Sequence, residues 1–240
     1  MSTPGSGRDE GGERAPGAGA DTELPARIDA VRARIAAAAR RAGRDPASVT
    51  LVAATKTVPA ERVRTALAAG VTELGENRAQ ELLAKAPDLA GGPAEPRWHF
   101  LGTLQRNKVR PLAPWVACWQ SVDRPELGPV LARHAAGATV LIEVNLAGEV
   151  QKGGCAPDAA AGLRDDLAGR GLVVAGLMTV PPADDDARRW FSALRELGSR
   201  LGLAELSMGM TGDFEVAVEE GATMVRVGRA LFGERPAPRR

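Results

Sequence analysis

The chain has 240 residues, with 31 Lys and Arg against 30 Asp and Glu, so its formal charge is +1. That balance gives no net field to gather nucleic acid or an anionic membrane, and no apolar run is long enough to span a bilayer. At 44% hydrophobic and 25% charged, the composition suits one globular domain with a sizeable core.

Residues 1–22 are rich in Gly, Pro, Ser and charge, hold too little apolar surface to offset the entropy of ordering, and read as a disordered tail. They lack the apolar segment of a signal peptide. A single domain is expected over 23–234, with 235–240 as a C-terminal tail. At its start, "LPARIDAVRARIAAAARRAG" places Ile28, Val31, Ile35 and Ala39 on one helical face, and Gly43 ends it. Strand-like runs then alternate with helical ones. The strands are "VTLVAATK", "VTELGEN", "RWHFLG", "WVACWQSV", "TVLIEVNL", "LVVAGLMTV", "AELSMGM" and "TMVRVG". Short apolar runs separated by helices argue for a parallel sheet covered on both faces. Eight strands behind one extra helix predict an α/β fold of the (β/α)8 barrel type. A doubly wound open sheet is the alternative, but no G-x-G-x-x-G follows the first strand. The fourth run is the weakest strand signal and reads equally as edge or loop. Cys118 and Cys155 have neither metal-ligand spacing nor a disulfide framework around them, which predicts a reduced, cytoplasmic protein.

Ligand sites of such barrels lie at the carboxyl ends of the strands. Val52, Ala54 and Lys56 share one face of the first strand, so Lys56 tops that face if it is the barrel interior. The plain reading of Lys56 is a buried stem with its ammonium in water. The sharper one is an amine set in a ligand site. The other strand ends bring Glu76 and Asn77, His99 and Gly102, Glu143 and Asn145, Met178 and Thr179, and Ser207 and Gly209. Glu76 reads equally as a helix cap, His99 as a satisfied core histidine, and Met208 and Met210 as packing. The eighth strand sets Arg226 and Gly228 on one parity, with the short helix "RALFG" behind them. Glycine followed by backbone N–H groups at a helix start makes an anion site, and barrels often hold phosphate there.

The stretches "LVAATKTVP", "ELGENRAQE", "WHFLGTLQRNKVR", "VLIEVNLAGEVQKGG", "GLMTV" and "LSMGMTGDFEVAVEEGATMVRVGRALFG" resemble the pyridoxal phosphate homeostasis protein family (YggS/PROSC), from about Leu51 to Gly233. The resemblance implies a barrel similar to the amino-terminal domain of alanine racemase, without that enzyme's second domain. It implies that Lys56 carries pyridoxal 5'-phosphate as a Schiff base. Ser207, Gly228 and the backbone at Arg229 would hold the phosphate, Arg226 would face the pyridine nitrogen, and Asn77 would lie beside the ring. Four positions depart from the family pattern: Thr55 before the lysine, Thr103 in "GTLQ", Arg78 after "GEN", and Thr211. Thr55 and Thr211 stand where serine is usual and keep a hydroxyl. Arg78 removes the ring hydroxyl of a tyrosine common there.

Arg226 is a donor only and stays charged, so it would leave the pyridine nitrogen unprotonated and the ring a weak electron sink. Racemisation also needs an acid and a base on opposite faces of the substrate carbon, and the chain contains no tyrosine. These features predict a protein that holds or delivers the cofactor, transiently to apoenzymes, without catalysis. The alternative is a racemase or lyase with Cys155 or His99 as its second group. A metal-dependent enzyme using Glu143, His99 and Asp213 is a third reading, from residues scattered across the strands. A monomer, or at most a weak dimer, is expected.

Overall fold

The computed structural model describes residues 23–183 and 185–234. The tails expected at 1–22 and 235–240 lie outside the described residues. Helix α1 (Leu24–Arg41) buries Ile28, Val31, Ile35 and Ala39 on the expected face, and Gly43 follows it at φ 67°. Burying each large apolar side chain contributes about 1.5–3 kcal/mol, more than the exposed Arg34–Glu215 and Arg41–Glu219 pairs that join α1 to α8 (Phe214–Glu219).

Eight parallel strands close into a barrel in chain order, β1 (Thr50–Ala54), β2 (Glu73–Glu76), β3 (Arg97–Phe100), β4 (Val116–Val122), β5 (Thr139–Glu143), β6 (Val173–Met178), β7 (Glu205–Ser207) and β8 (Met224–Val227). Strand β8 returns to β1 with Val52 opposite Arg226 and Ala53 opposite Val227. The connecting helices are α2 (Ala60–Ala68), α3 (Ala79–Leu89), α4 (Arg106–Leu112), α5 (Gly128–His134), α6 (Ala160–Gly169), α7 (Ala187–Leu201) and α8, with α9 (Arg229–Phe232) after β8. Side-chain alternation divides the core in two. Ala53, Leu74, Trp98, Trp119, Ile142 and Val227 pack outward against the helices. Cys118, Leu141 and Met178 form a separate cluster inside the barrel.

The structure corrects several expectations. The fourth run is neither edge nor loop: β4 has seven residues and pairs with both β3 and β5. Its signal is weak because it turns Gln120, a polar residue, into the barrel. Helix α4 is not announced by the sequence pattern, since Pro111 lies inside it and only Val109 and Leu112 are buried. Strand β7 stops at Ser207, and the chain then bends at Gly209 (φ 91°), whose carbonyl accepts from the Arg226 N–H at 2.9 Å. Met208 is buried as expected, whereas Met210 is 38% exposed. Among the described residues no helix is long and apolar enough to cross a membrane.

Candidate functional site

Beyond Ala54 the chain turns at the carboxyl mouth of the barrel, with the Val58 N–H donating to the Thr55 carbonyl at 2.9 Å. Lys56, on this turn, lines a cleft of about 180 Å³ together with Ala54, Arg62, Gly228, Arg229 and Phe232. A Cβ at Gly228 would lie 3.2 Å from the Ala54 carbonyl oxygen, so the close approach of β8 to β1 at this point favours glycine. Arg229 opens α9, and the Ala230 N–H behind it reaches the Thr211 hydroxyl at 3.4 Å. Three of the expected residues, Lys56, Gly228 and Arg229, thus face one cavity. Asn77 follows β2 on the parity of Gly75, which pairs with Ala54. Its Oδ1 is buried with no hydrogen-bond partner. Gly102 passes so close that a Cβ there would sit 2.0 Å from the Asn77 carbonyl oxygen.

Arg226 and Ser207 lie deeper, inside the barrel, at 5% and 0% exposure. Arg226 donates to the Ser207 hydroxyl at 2.6 Å and to the Thr179 carbonyl at 2.8 Å. The Ser207 hydroxyl donates to Gln120 Oε1 at 2.6 Å, and Gln120 Nε2 lies 2.6 Å from His99 Nδ1. His99 Nε2 lies 2.6 Å from Glu73 Oε2. His99 is thus the satisfied core histidine, with both ring nitrogens engaged. Burial works to raise the Glu73 carboxyl, but His99 and Arg97 together hold it below its usual range. Burial lowers Arg226 to about 10, with Glu143 and Asp213 pulling the other way. Burial and then Asp123 push Glu143 up to about 7, against the pull of Arg226. Burial likewise raises Cys118 to about 12 and Cys155 to about 11, so neither thiol is an activated nucleophile.

Glu76 is not a helix cap. It ends β2 with its side chain fully buried, and α3 begins only at Ala79. Its Oε1 accepts from Lys85 Nζ at 2.6 Å and from the Thr55 hydroxyl at 2.8 Å. Burial raises the Glu76 carboxyl, and the Lys85 and Thr55 bonds only partly restrain it. Lys85, missed by sequence reasoning, is 9% exposed. The available signal was its spacing, because Leu82, Lys85, Ala86 and Leu89 form the buried stripe of α3. Glu143 and Asp123 gather near Gly153, but among the described residues no group of three or more His, Cys, Asp or Glu is placed to hold a metal ion.

Residues 27–236 match the family model described as alanine racemase, N-terminal domain. The pyridoxal phosphate homeostasis protein of Pseudomonas aeruginosa is 45% identical over 218 residues, covering 87% of this chain and 94% of the relative. A crystal structure of an unknown protein from Bifidobacterium adolescentis matches with a TM-score of 0.82 at 37% identity, over 90% of this chain and 96% of that one. PipY of Synechococcus elongatus with PLP bound matches with a TM-score of 0.76 at 32% identity, over 88% of this chain and 100% of that one. On the barrel, the strand-end residues and these likenesses, the chain belongs to the pyridoxal phosphate homeostasis protein family.

Proposed function

We propose that this protein binds pyridoxal 5'-phosphate at the barrel mouth through a Schiff base to Lys56 and serves intracellular homeostasis of that cofactor without catalysing a reaction of its own. The observation that carries the reading is that Lys56 lines a single cleft with Gly228 and the start of α9. An aldehyde and an anion bound to one small molecule are what this pairing suits. In the proposal, the backbone at Gly228 and Arg229 holds the phosphate and Asn77 lies beside the ring. Arg226 would face the pyridine nitrogen. The Ser207 hydroxyl already donates to Gln120 and accepts from Arg226, so it reaches the phosphate by giving up the Gln120 bond.

When bound, the cofactor supplies an electrophilic carbon and an electron-withdrawing ring. The protein's own groups govern how far that chemistry goes. Arg226 offers donors only and cannot deliver the ring proton of a strong electron sink. The groups first considered as a second acid or base are poorly suited to it. His99 spends both nitrogens on Glu73 and Gln120 inside the barrel, and burial holds the Cys155 thiol protonated up to about 11. These observations favour retention and release over racemase or lyase activity. We take the protein to be a cytoplasmic monomer that passes its cofactor to apoenzymes.

Borohydride reduction of the cofactor-loaded protein followed by peptide mapping tests the assignment. The added mass is expected on the Lys56 peptide, and Lys56→Ala is expected to lose the Schiff-base absorbance while remaining folded. Label on Lys108 or Lys152 in the unaltered protein would overturn the assignment. Rapid solvent deuterium uptake at the α-carbon of alanine that depends on Lys56 would overturn the non-catalytic reading.

A further inference from the structure

Lys56 and Thr57 occupy the corner of the turn closed by Val58 on Thr55. Thr57 has φ 64°, the only positive φ of a non-glycine residue among the described residues. At this third position a turn with positive φ ordinarily takes glycine, and a β-branched side chain is strained there. Something must hold it. The Thr57 N–H donates to Glu81 Oε2 at 2.6 Å. One helical turn further along α3, Lys85 Nζ donates to the Thr55 carbonyl at 2.7 Å. Glu81 and Lys85 themselves approach to 3.5 Å, and Lys85 is anchored on buried Glu76 at 2.6 Å. The two peptide groups that bracket Lys56 are therefore gripped by an i, i+4 pair on a single helix. Neither Glu81 nor Lys85 lines the cleft that Lys56 lines.

We propose that Glu81 and Lys85 are positioning residues for Lys56: they hold Thr57 in the left-handed conformation and so aim the lysine amine into the cleft beside Gly228 and Arg229. The inference rests on the reading of Lys56 as the amine that captures an aldehyde. In that condensation the neutral amine adds its electron pair to the carbonyl carbon, the carbonyl oxygen takes up the two protons that the nitrogen gives up, and water leaves as the C=N bond forms. The clamp adds no group to the reaction. It removes the need to reorganise the turn before the amine and the phosphate site engage one molecule together.

Releasing the clamp while relieving the strain it holds tests the idea. Glu81→Leu removes the acceptor, Glu81→Gln keeps an oxygen for the Thr57 N–H, and Thr57→Gly adopts a positive φ without help. Two readouts are taken: the equilibrium titration of Schiff-base absorbance with pyridoxal phosphate, and the pH profile of Lys56 methylation by formaldehyde and cyanoborohydride in cofactor-free protein. Glu81→Leu is expected to weaken loading about tenfold and to move the methylation profile. Glu81→Gln and Thr57→Gly are each expected to stay within about twofold of the unaltered protein. Thr57→Gly combined with Glu81→Leu is expected to recover most of the loss.

A folded Glu81→Leu protein that loads and methylates like the unaltered one overturns the clamp. So does a loss that Thr57→Gly fails to restore. If Glu81→Leu does not fold, Glu81→Ala is compared with its parent in the Thr57→Gly background, where a difference of more than about twofold overturns it. If the unaltered protein takes up no cofactor at Lys56, the functional reading fails, and the methylation profiles still decide whether Glu81 sets the amine.

Discussion

Replacing Lys85 with methionine isolates the energetics behind the candidate site. The ammonium is removed from the Glu76 carboxylate (2.6 Å) and from the Thr55 carbonyl (2.7 Å), both buried, while methionine keeps most of the stem's packing. Glu76 is then left with the Thr55 hydroxyl on Oε1 and no hydrogen-bond partner on Oε2. Breaking a buried ion pair from one side costs about 3–5 kcal/mol when the surviving charge stays ionised. Glu76 can instead bind a proton, and this makes the cost depend on pH. Burial already raises its folded-state value, and Lys85 is the largest influence lowering it. A carboxyl raised in the folded state contributes stability at low pH that is lost as pH rises through the folded value. Without Lys85 that value climbs further, so the variant keeps losing stability over a range where the parent has levelled off. At acid pH the loss should shrink to that of the hydrogen bonds alone, about 2 kcal/mol, and once the pH passes the variant's folded value it should reach the full cost, each unit of pKa difference adding about 1.4 kcal/mol. Urea unfolding of both proteins at a series of pH values gives the comparison, and Glu76→Gln combined with Lys85→Met should flatten it. A loss that does not change with pH, or one below about 1 kcal/mol at every pH, would refute the reasoning.

Two further outcomes follow from the barrel mouth. Glu143, raised by burial and Asp123 from 4.5 to about 7, favours folding while protonated and ceases to do so as pH rises through that upper value. Relative to Glu143→Gln, which cannot ionise, the unaltered protein should therefore lose about 3 kcal/mol of stability across that window; parallel urea-unfolding curves for the two would contradict it. Gly102→Ala would place a Cβ 2.0 Å from the Asn77 carbonyl oxygen and 2.9 Å from its Cα, and should lower the melting temperature by about 4–10 °C. An unchanged melting temperature in a calorimeter would show that the β3 loop moves aside freely.

The barrel and its mouth were legible where the local pattern carries the physics. The alternation of Val52 and Ala54 gives the face of β1 on which Val52 pairs with Arg226, whereas Lys56, read as the top of that face, lies past the strand's end on a turn. Gly228 ahead of "RALF" marks the turn into a short helix, and α9 follows it. What stayed hidden depends on partners distant in the chain. Lys85 on a helix reads as a solvated charge until Glu76 and the Thr55 carbonyl are seen beneath it. Glu76 just before a helix reads as a cap until the strand is seen to hold it inward. Gln120 weakens the β4 pattern because its amide serves His99 on one side and Ser207 on the other. The left-handed Thr57 gives no local warning, since threonine is not the residue that conformation selects.

The line of side chains across the barrel has a direction. Ionised Glu73 can only accept and Arg226 can only donate, so with a neutral His99 ring the Glu73 end dictates every proton along the line. His99 must donate from Nε2 to Glu73 and, as a neutral ring, accept at Nδ1. Gln120 must therefore turn its NH₂ toward His99 and its oxygen toward Ser207. Ser207 gives its one hydrogen to Gln120 and offers a lone pair to Arg226. With a neutral ring there is no second tautomer and no amide flip that satisfies the set, so the five side chains share one polarity. Reversing the sense of any one of them leaves a donor facing a donor, or an acceptor facing an acceptor, in a line of which His99, Gln120, Ser207 and Arg226 are buried.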